Sequence, residues 1–184
     1  MPNYRRAFVP GGCWFFAVNL EDRRKRLLVE HIDALRKAVV ATQSRFPFSN
    51  DAMVILPDHL HAVWTLPDGD TDFAVRWNRV KTQFSRAIPK GEPISASRRR
   101  RGERGIWQRR YWEHLIRDER DFSHHIDYCW FNPVKHGYVE SPELWPYSSF
   151  HRDAAGYEPP DFSEFEAAAA EHARRTRDAS YGER

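Results

Sequence analysis

Leu60, Ala62, Trp64 and Leu66 alternate with His59, His61, Val63 and Thr65, and this short run constrains the fold more tightly than any other stretch of the chain. A β-strand sends successive side chains to opposite faces. One face of this strand is therefore wholly apolar and must lie against helices, while the other carries two imidazoles looking away from them onto an open sheet face. Two histidines two apart on a strand are held parallel, close enough to chelate one divalent ion if a third ligand arrives from elsewhere. Taken alone, such a pair is more often two ordinary surface histidines.

The flanking segments supply the rest of a sheet. Residues 13–20 follow the Gly11-Gly12 turn and read as a buried aromatic strand. Leu28, Ile32, Leu35 and Val39 recur at helical spacing, predicting one helix from about Arg24 to Ser44 that Pro47 ends. Residues 48–56 form a strand that turns at Pro57-Asp58 into the histidine strand, and Pro67–Asp70 is a second turn. Phe73, Trp77, Val80, Phe84 and Ile88 line one side of a second helix. Residues 89–105 read as a mobile arginine-rich loop, and residues 106–116 as a fourth strand, with a helix as the alternative. The order β-α-β-β-α-β predicts a ferredoxin-like α+β fold: one sheet, two helices on one face.

A third helix begins at the capping residue Asp118 and runs to about Asn132, where Pro133 ends or kinks it. Phe122, Ile126, Cys129 and Trp130 form its apolar stripe; Tyr128 and Asn132 share a different face, away from the core. This is the catalytic helix, expected on the other face of the sheet from the first two. Trp145 to Arg152 closes a domain of residues 1–153. Residues 154–184 read as an acidic tail, partly helical or disordered, with a capping box at Ser163 and Glu166.

Composition narrows the partner. An apolar fraction of 41% with seven Trp excludes a disordered chain. No apolar run approaches the ~20 residues of a membrane span, and the start lacks a secretory signal, which predicts a cytoplasmic protein. Cys13 and Cys129 have neither disulfide nor zinc spacing. Net charge is +3, yet residues 1–153 hold 25 of the 29 Lys and Arg and only 19 of the 26 Asp and Glu. Arg98, Arg99, Arg100, Arg101, Arg104, Arg109 and Arg110 crowd one stretch, the footprint of a phosphate-backbone binder, although basic runs are often solvated loops.

These pieces make one site. His59, His61 and the Asn132 side-chain oxygen would hold a divalent metal, Mg2+ or Mn2+, with positions left for phosphate oxygens. Tyr128 would attack the phosphorus in line, releasing a 3′ oxygen and leaving a 5′-phosphotyrosine that conserves the energy of the broken bond for strand transfer. Tyr111 and Tyr138 are competing tyrosines. His124 could help move the Tyr128 proton or be a solvated surface residue, and His114, His125 and His136 read as structural or backbone-contacting. Trp145 reads as a packing corner, with DNA stacking as the alternative.

Leu-Pro-Asp-His-Leu-His at 56–61, His-His-Ile-Asp-Tyr at 124–128, Asn-Pro-Val-Lys-His-Gly at 132–137 and Trp-Pro-Tyr-Ser-Ser-Phe at 145–150, in that order, resemble the REP-associated tyrosine transposases. These are single-tyrosine relatives of insertion-sequence transposases within the HUH endonuclease superfamily. The resemblance covers residues 4–152. It implies a ferredoxin-like domain that cuts single-stranded DNA at repeated extragenic palindromic hairpins beside a guide sequence. It assigns Tyr128 as nucleophile and His59, His61 and Asn132 as metal ligands, Asn132 standing where insertion-sequence relatives often have glutamine. Arg5, Arg6, Arg109, Arg110, Lys135 and His136 are the expected DNA contacts. No small-molecule cofactor or membrane is implied, and a monomer is favoured over a dimer. A non-catalytic, domesticated hairpin-binding protein is the alternative.

Overall fold

The structure is a computed structural model and describes residues 8–154. Its sheet has four antiparallel strands in the order β2-β3-β1-β4: β1 is Cys13–Asn19, β2 Ser49–Ile55, β3 His59–Thr65 and β4 Trp112–Leu115. Helices α1 (Leu27–Glu30) and α2 (Ile32–Arg45) join β1 to β2, and α3 (Phe73–Ala87) leads from β3 towards β4. This is the mixed α+β, ferredoxin-like arrangement that the alternation predicted.

Period-two alternation divides the sheet between two cores. Trp14, Phe16, Val18, Leu60, Ala62 and Trp64 face α2 and α3, where they meet Leu35, Val39, Phe73, Trp77 and Phe84. Phe15, Ala17, Val54 and Val63 face the opposite way, against Ile126, Cys129 and Trp130 of α5 (Glu119–Lys135). The third helix covers this other face, as expected: α5 lies across β2 and β3. Beyond α5 come a 3-10 turn (Pro142–Leu144) and the short helix α6 (Phe150–Asp153). The segment between them pairs with β2, Ile55 donating to the Tyr147 carbonyl at 2.9 Å and Ser149 to that of Met53 at 2.8 Å, which protects an otherwise bare edge.

Four local expectations are corrected. The first helix is two, broken at His31, whose backbone leaves helical geometry at φ −118° and ψ 38°; the first of the two is tied to the β2–β3 turn by the Leu28 N–H, which donates to the Pro57 carbonyl at 3.2 Å. The fourth strand is regular only over Trp112–Leu115; Trp107 makes an isolated bridge to Leu20 and the residues between leave the ladder. Helix α5 starts as expected, with the Asp118 carboxylate accepting from the Asp121 N–H, but it continues through Pro133 to Lys135. Proline removes the donor to the Cys129 carbonyl, yet the following turn is closed by His136 N–H to Asn132 O at 3.0 Å and by a left-handed glycine, Gly137, at φ +69°.

The fourth correction concerns the arginine loop, which contains a short helix and pairs part of its own charge. Helix α4 (Ala96–Arg100) is capped by Ser95. Arg104 donates to the carbonyls of Ser85, Ile88 and Pro89 at the end of α3 and pairs with Glu92, while Arg98 pairs with Glu21. Two of the seven clustered arginines are thus turned inward. Arg5 and Arg6, and the tail beyond residue 154, lie outside the described residues.

Candidate active site

Strand β3 places His59 and His61 opposite Asn19 and Ala17 of β1, on the face that α5 covers. Both are buried, at 5% and 4% exposure, and their rings meet edge-on at 5.1 Å. The two do not share an environment. His59 Nδ1 lies 2.7 Å from the Asp58 carboxylate, which is also ion-paired to Arg23. Burial alone would raise the Asp58 carboxyl, but hydrogen bonds from His59 and Arg23 outweigh it and hold the group at about 2. With Asp58 accepting from Nδ1, the Nε2 lone pair of His59 would be left for a metal. His61 is packed by rings: Phe15 stacks on it at 5.4 Å, and Tyr128 meets it edge-on at 5.0 Å.

Helix α5 brings the other two residues. Tyr128 and Asn132 are one turn apart and share a face as expected, but that face is turned into the sheet, with Tyr128 9% exposed and Asn132 fully buried. The helix lies close enough to β2 and β3 that both its apolar stripe and its polar face are covered. Burial pushes the Tyr128 phenol up to about 12, against an opposing influence from Asn132, and the Lys135 ammonium sits 5.0 Å from the ring centre. Although the Asn132 amide acts on the phenol, neither its oxygen nor its nitrogen has a hydrogen-bond partner of good geometry. A fully buried amide that has only the neighbouring phenol to act on leaves hydrogen-bonding capacity unused, which an ion could take up. By donor type, two imidazoles and an amide oxygen are a set that could hold a divalent metal.

The other predicted residues divide. His136 follows one turn after Asn132 and its ring lies 5.1 Å from His59, so it belongs beside the site rather than to a remote structural role. Lys135 stands over Tyr128. Arg109 is engaged with Glu103 at 2.9 Å and Ser97 at 3.1 Å, and Arg110 is exposed. Of the competing tyrosines, Tyr111 packs on Phe16 and Trp77 on the opposite face of the sheet, while Tyr138 is exposed past the end of α5. His124 is exposed. Trp145 is a packing corner, its indole N–H donated to the Ile55 carbonyl at 3.0 Å. Both cysteines are free.

One cluster went unread in the sequence. His114, Asp121 and His125 bring ligand atoms within 4.8 Å of one another and could hold a metal ion. Their polar atoms are also occupied by each other: His114 Nε2 meets the Asp121 carboxylate at 2.9 Å, and His125 Nδ1 meets the Asp121 carbonyl at 2.7 Å. The available signal was modest, a strand histidine followed by an i, i+4 Asp/His pair on a helix. Phe15 separates this cluster from the first, touching His125 at 4.7 Å and His61 at 5.4 Å.

No family model matches the chain. Among curated proteins it is 50% identical over 154 residues to a REP-associated tyrosine transposase of Haemophilus influenzae, an alignment spanning 83% of this chain and 88% of that one. It is also 46% identical over 155 residues to the REP-associated tyrosine transposase of Escherichia coli K12, spanning 84% and 86%. The chain belongs to the REP-associated tyrosine transposases. A solved structure from this family, described as bound to a REP hairpin, is 45% identical and superposes with a TM-score of 0.73, covering 86% of this chain and 89% of that one. Among the described residues, no helix is long and apolar enough to cross a membrane.

Proposed function

We propose that this protein is a metal-dependent endonuclease and strand transferase for single-stranded DNA, acting at REP-type hairpins through a 5′-phosphotyrosine. The observation that carries this reading is the meeting of Tyr128, His61 and Asn132 under α5, with the tyrosine ring 5.0 Å from a histidine of the pair and a buried amide one turn further on. The family relationship, and the hairpin described in the related solved structure, support the choice of DNA.

His59, His61 and Asn132 would hold the metal, and a divalent ion bound there would supply Lewis-acid polarisation of the phosphate. Manganese or magnesium suits the reaction, the imidazoles favouring the former. Tyr128 Oη forms the new bond to phosphorus as the bond to the 3′ oxygen breaks; the phenol proton is lost to solvent and the departing oxygen takes one up as a 3′-hydroxyl. Asp58 keeps His59 in the tautomer that presents Nε2. Lys135, above the Tyr128 ring, favours the phenolate as it forms. A single chain supplies every one of these groups, so a monomer suffices.

The test is to incubate the protein with labelled single-stranded hairpins from its own genome and Mn2+ or Mg2+, then resolve the products under denaturing conditions. A DNA–protein adduct that disappears in Tyr128→Phe is expected. Tight hairpin binding without an adduct under either ion would leave a non-catalytic hairpin-binding protein in its place.

A further inference from the structure

The aromatic contacts of the site continue outward past the histidine pair. From His59 the next ring is His136 at 5.1 Å, then Tyr138 at 6.1 Å; Tyr138 lies on Trp145 at 5.3 Å with the planes 27° apart, and Trp145 meets Tyr147 edge-on at 5.5 Å. Trp145 is buried and anchored through its indole N–H to Ile55. Tyr138 is not buried: 41% of it is exposed, and it stands among the few large apolar residues at the described surface.

The backbone holds this ring in place. Gly137 adopts φ +69°, its N–H bonded to the Val134 carbonyl at 2.9 Å, and the Tyr138 N–H is bonded to the Pro133 carbonyl at 2.9 Å. That pair of bonds closes a helix through a left-handed glycine, and it sets the direction of the residue that follows. Tyr138 is thus tied to the same helix that carries Tyr128 and Asn132. The exposed side chains between them, Lys135 and His136, are a cation and a further ring. A cation next to exposed aromatic faces is suited to one phosphate and the bases beside it.

We propose that Tyr138, backed by Trp145, is the stacking platform for an unpaired nucleobase next to the phosphate attacked by Tyr128. This rests on the reading of the site given above. The platform holds one base against a rigid surface and so helps to set which phosphate reaches the tyrosine. Stacking on an aromatic face tolerates any base, so the platform contributes affinity and register rather than sequence choice.

The experiment uses the full chain in a Tyr128→Phe background, which prevents cutting, and single-stranded hairpin oligonucleotides with 2-aminopurine placed in turn at each unpaired position. One position is expected to be quenched on binding. Tyr138→Ala should relieve that quench and weaken binding roughly 5- to 100-fold, the range set by one lost base–aromatic stack. Tyr138→Leu still covers Trp145 but has no π face, so it should behave like Tyr138→Ala with an unchanged denaturation midpoint, whereas Tyr138→Phe should bind and quench like the parent. If quenching and affinity are the same in Tyr138→Ala and Tyr138→Leu as in the parent, the platform is overturned. An adduct assay with Tyr128 restored separates the two readings: an adduct without any effect of Tyr138 sinks only the platform, and no adduct sinks the proposed chemistry. Absence of saturable binding to every hairpin overturns both.

Discussion

On the α2/α3 side of the sheet, Trp64 and Trp77 stack at 4.0 Å within a cluster of buried apolar residues, and the one buried cation there, Arg76, donates to the carbonyls of Asp72 and Pro47 and to the Asp70 carboxylate. On the α5 side, comparable burial encloses Asp58, His59, His61, Tyr128 and Asn132. Both faces are closed by helices and both are rich in rings, so shape and hydrophobicity do not tell them apart. What differs is the kind of polar group enclosed: indole N–H groups and one arginine on the first side, and on the second a carboxylate, two imidazoles, a phenol and an amide, groups able to ligate a metal or attack a phosphate. Dehydrating imidazoles, a phenol and an amide opposes folding unless each finds a partner, and a face that keeps them is shaped by something other than stability.

The contrast can be broken most forcefully on the apolar side. Trp77→Ala removes a stacked ring that also touches Phe16 and Tyr111. It should cost about 3–5 kcal/mol, read from urea denaturation. A loss below about 1 kcal/mol would mean that this face is not the stabilising one.

A smaller effect sharpens the comparison on the α5 side, where the helix start is held by charge. Burial would raise the Asp121 carboxyl, but hydrogen bonds from His114 and Arg117 prevail and hold it at about 2, against 3.8 for the free group. A carboxylate with a depressed value in the folded state adds stability above its unfolded value and loses it as pH falls through the folded one. Here that window runs from about pH 4 down to 2, and the contribution is on the order of 1–2 kcal/mol. Asp58 and Glu92 are shifted the same way, so the informative quantity is the difference between wild type and Asp121→Asn across the window. Wild type should lose more stability than the variant between pH 5 and 2; parallel curves would show that Asp121 does not clamp α5 to β4.

What was legible in the sequence follows the same division. The alternation in β3 and the 3.6-residue stripes of α2 and α3 are direct records of one-sided burial, so the ferredoxin-like order and the helix face could be read from them. Tyr128 and Asn132 could be placed on one face of α5 by angle alone. That this face is buried could not, because period reports which residues lie together and not what lies on top of them. Pro133 misled for a related reason: its local preference to end a helix is overridden by packing on both sides and by the cap at Gly137. Arg98 and Arg104 look like Arg99 and Arg100 in a charge count, and only the positions of Glu21, Glu92 and the α3 carbonyls separate them. Tyr138 could be weighed only as a rival nucleophile until its exposure and its Trp145 support were visible.

The smallest change in stability is expected at Asn132, and it tests the contrast most directly. Its amide is fully buried and both polar atoms lack a well-placed partner. Replacing a dehydrated amide with an apolar side chain of similar volume, Asn132→Leu, should leave the metal-free protein within about 1 kcal/mol of wild type or make it more stable. On a face selected for packing, the same exchange would have no further consequence. If Asn132 is instead a ligand, Mn2+ affinity measured by calorimetry should fall at least about 10-fold, the lower end of what even indirect supporting groups contribute, and the stabilisation that Mn2+ gives to thermal unfolding should shrink with it. A variant that is destabilised by several kcal/mol would show the amide to be a structural group after all. One that keeps both its stability and its Mn2+ affinity would move the third ligand elsewhere, with His136, 5.1 Å from His59, the next side chain to replace.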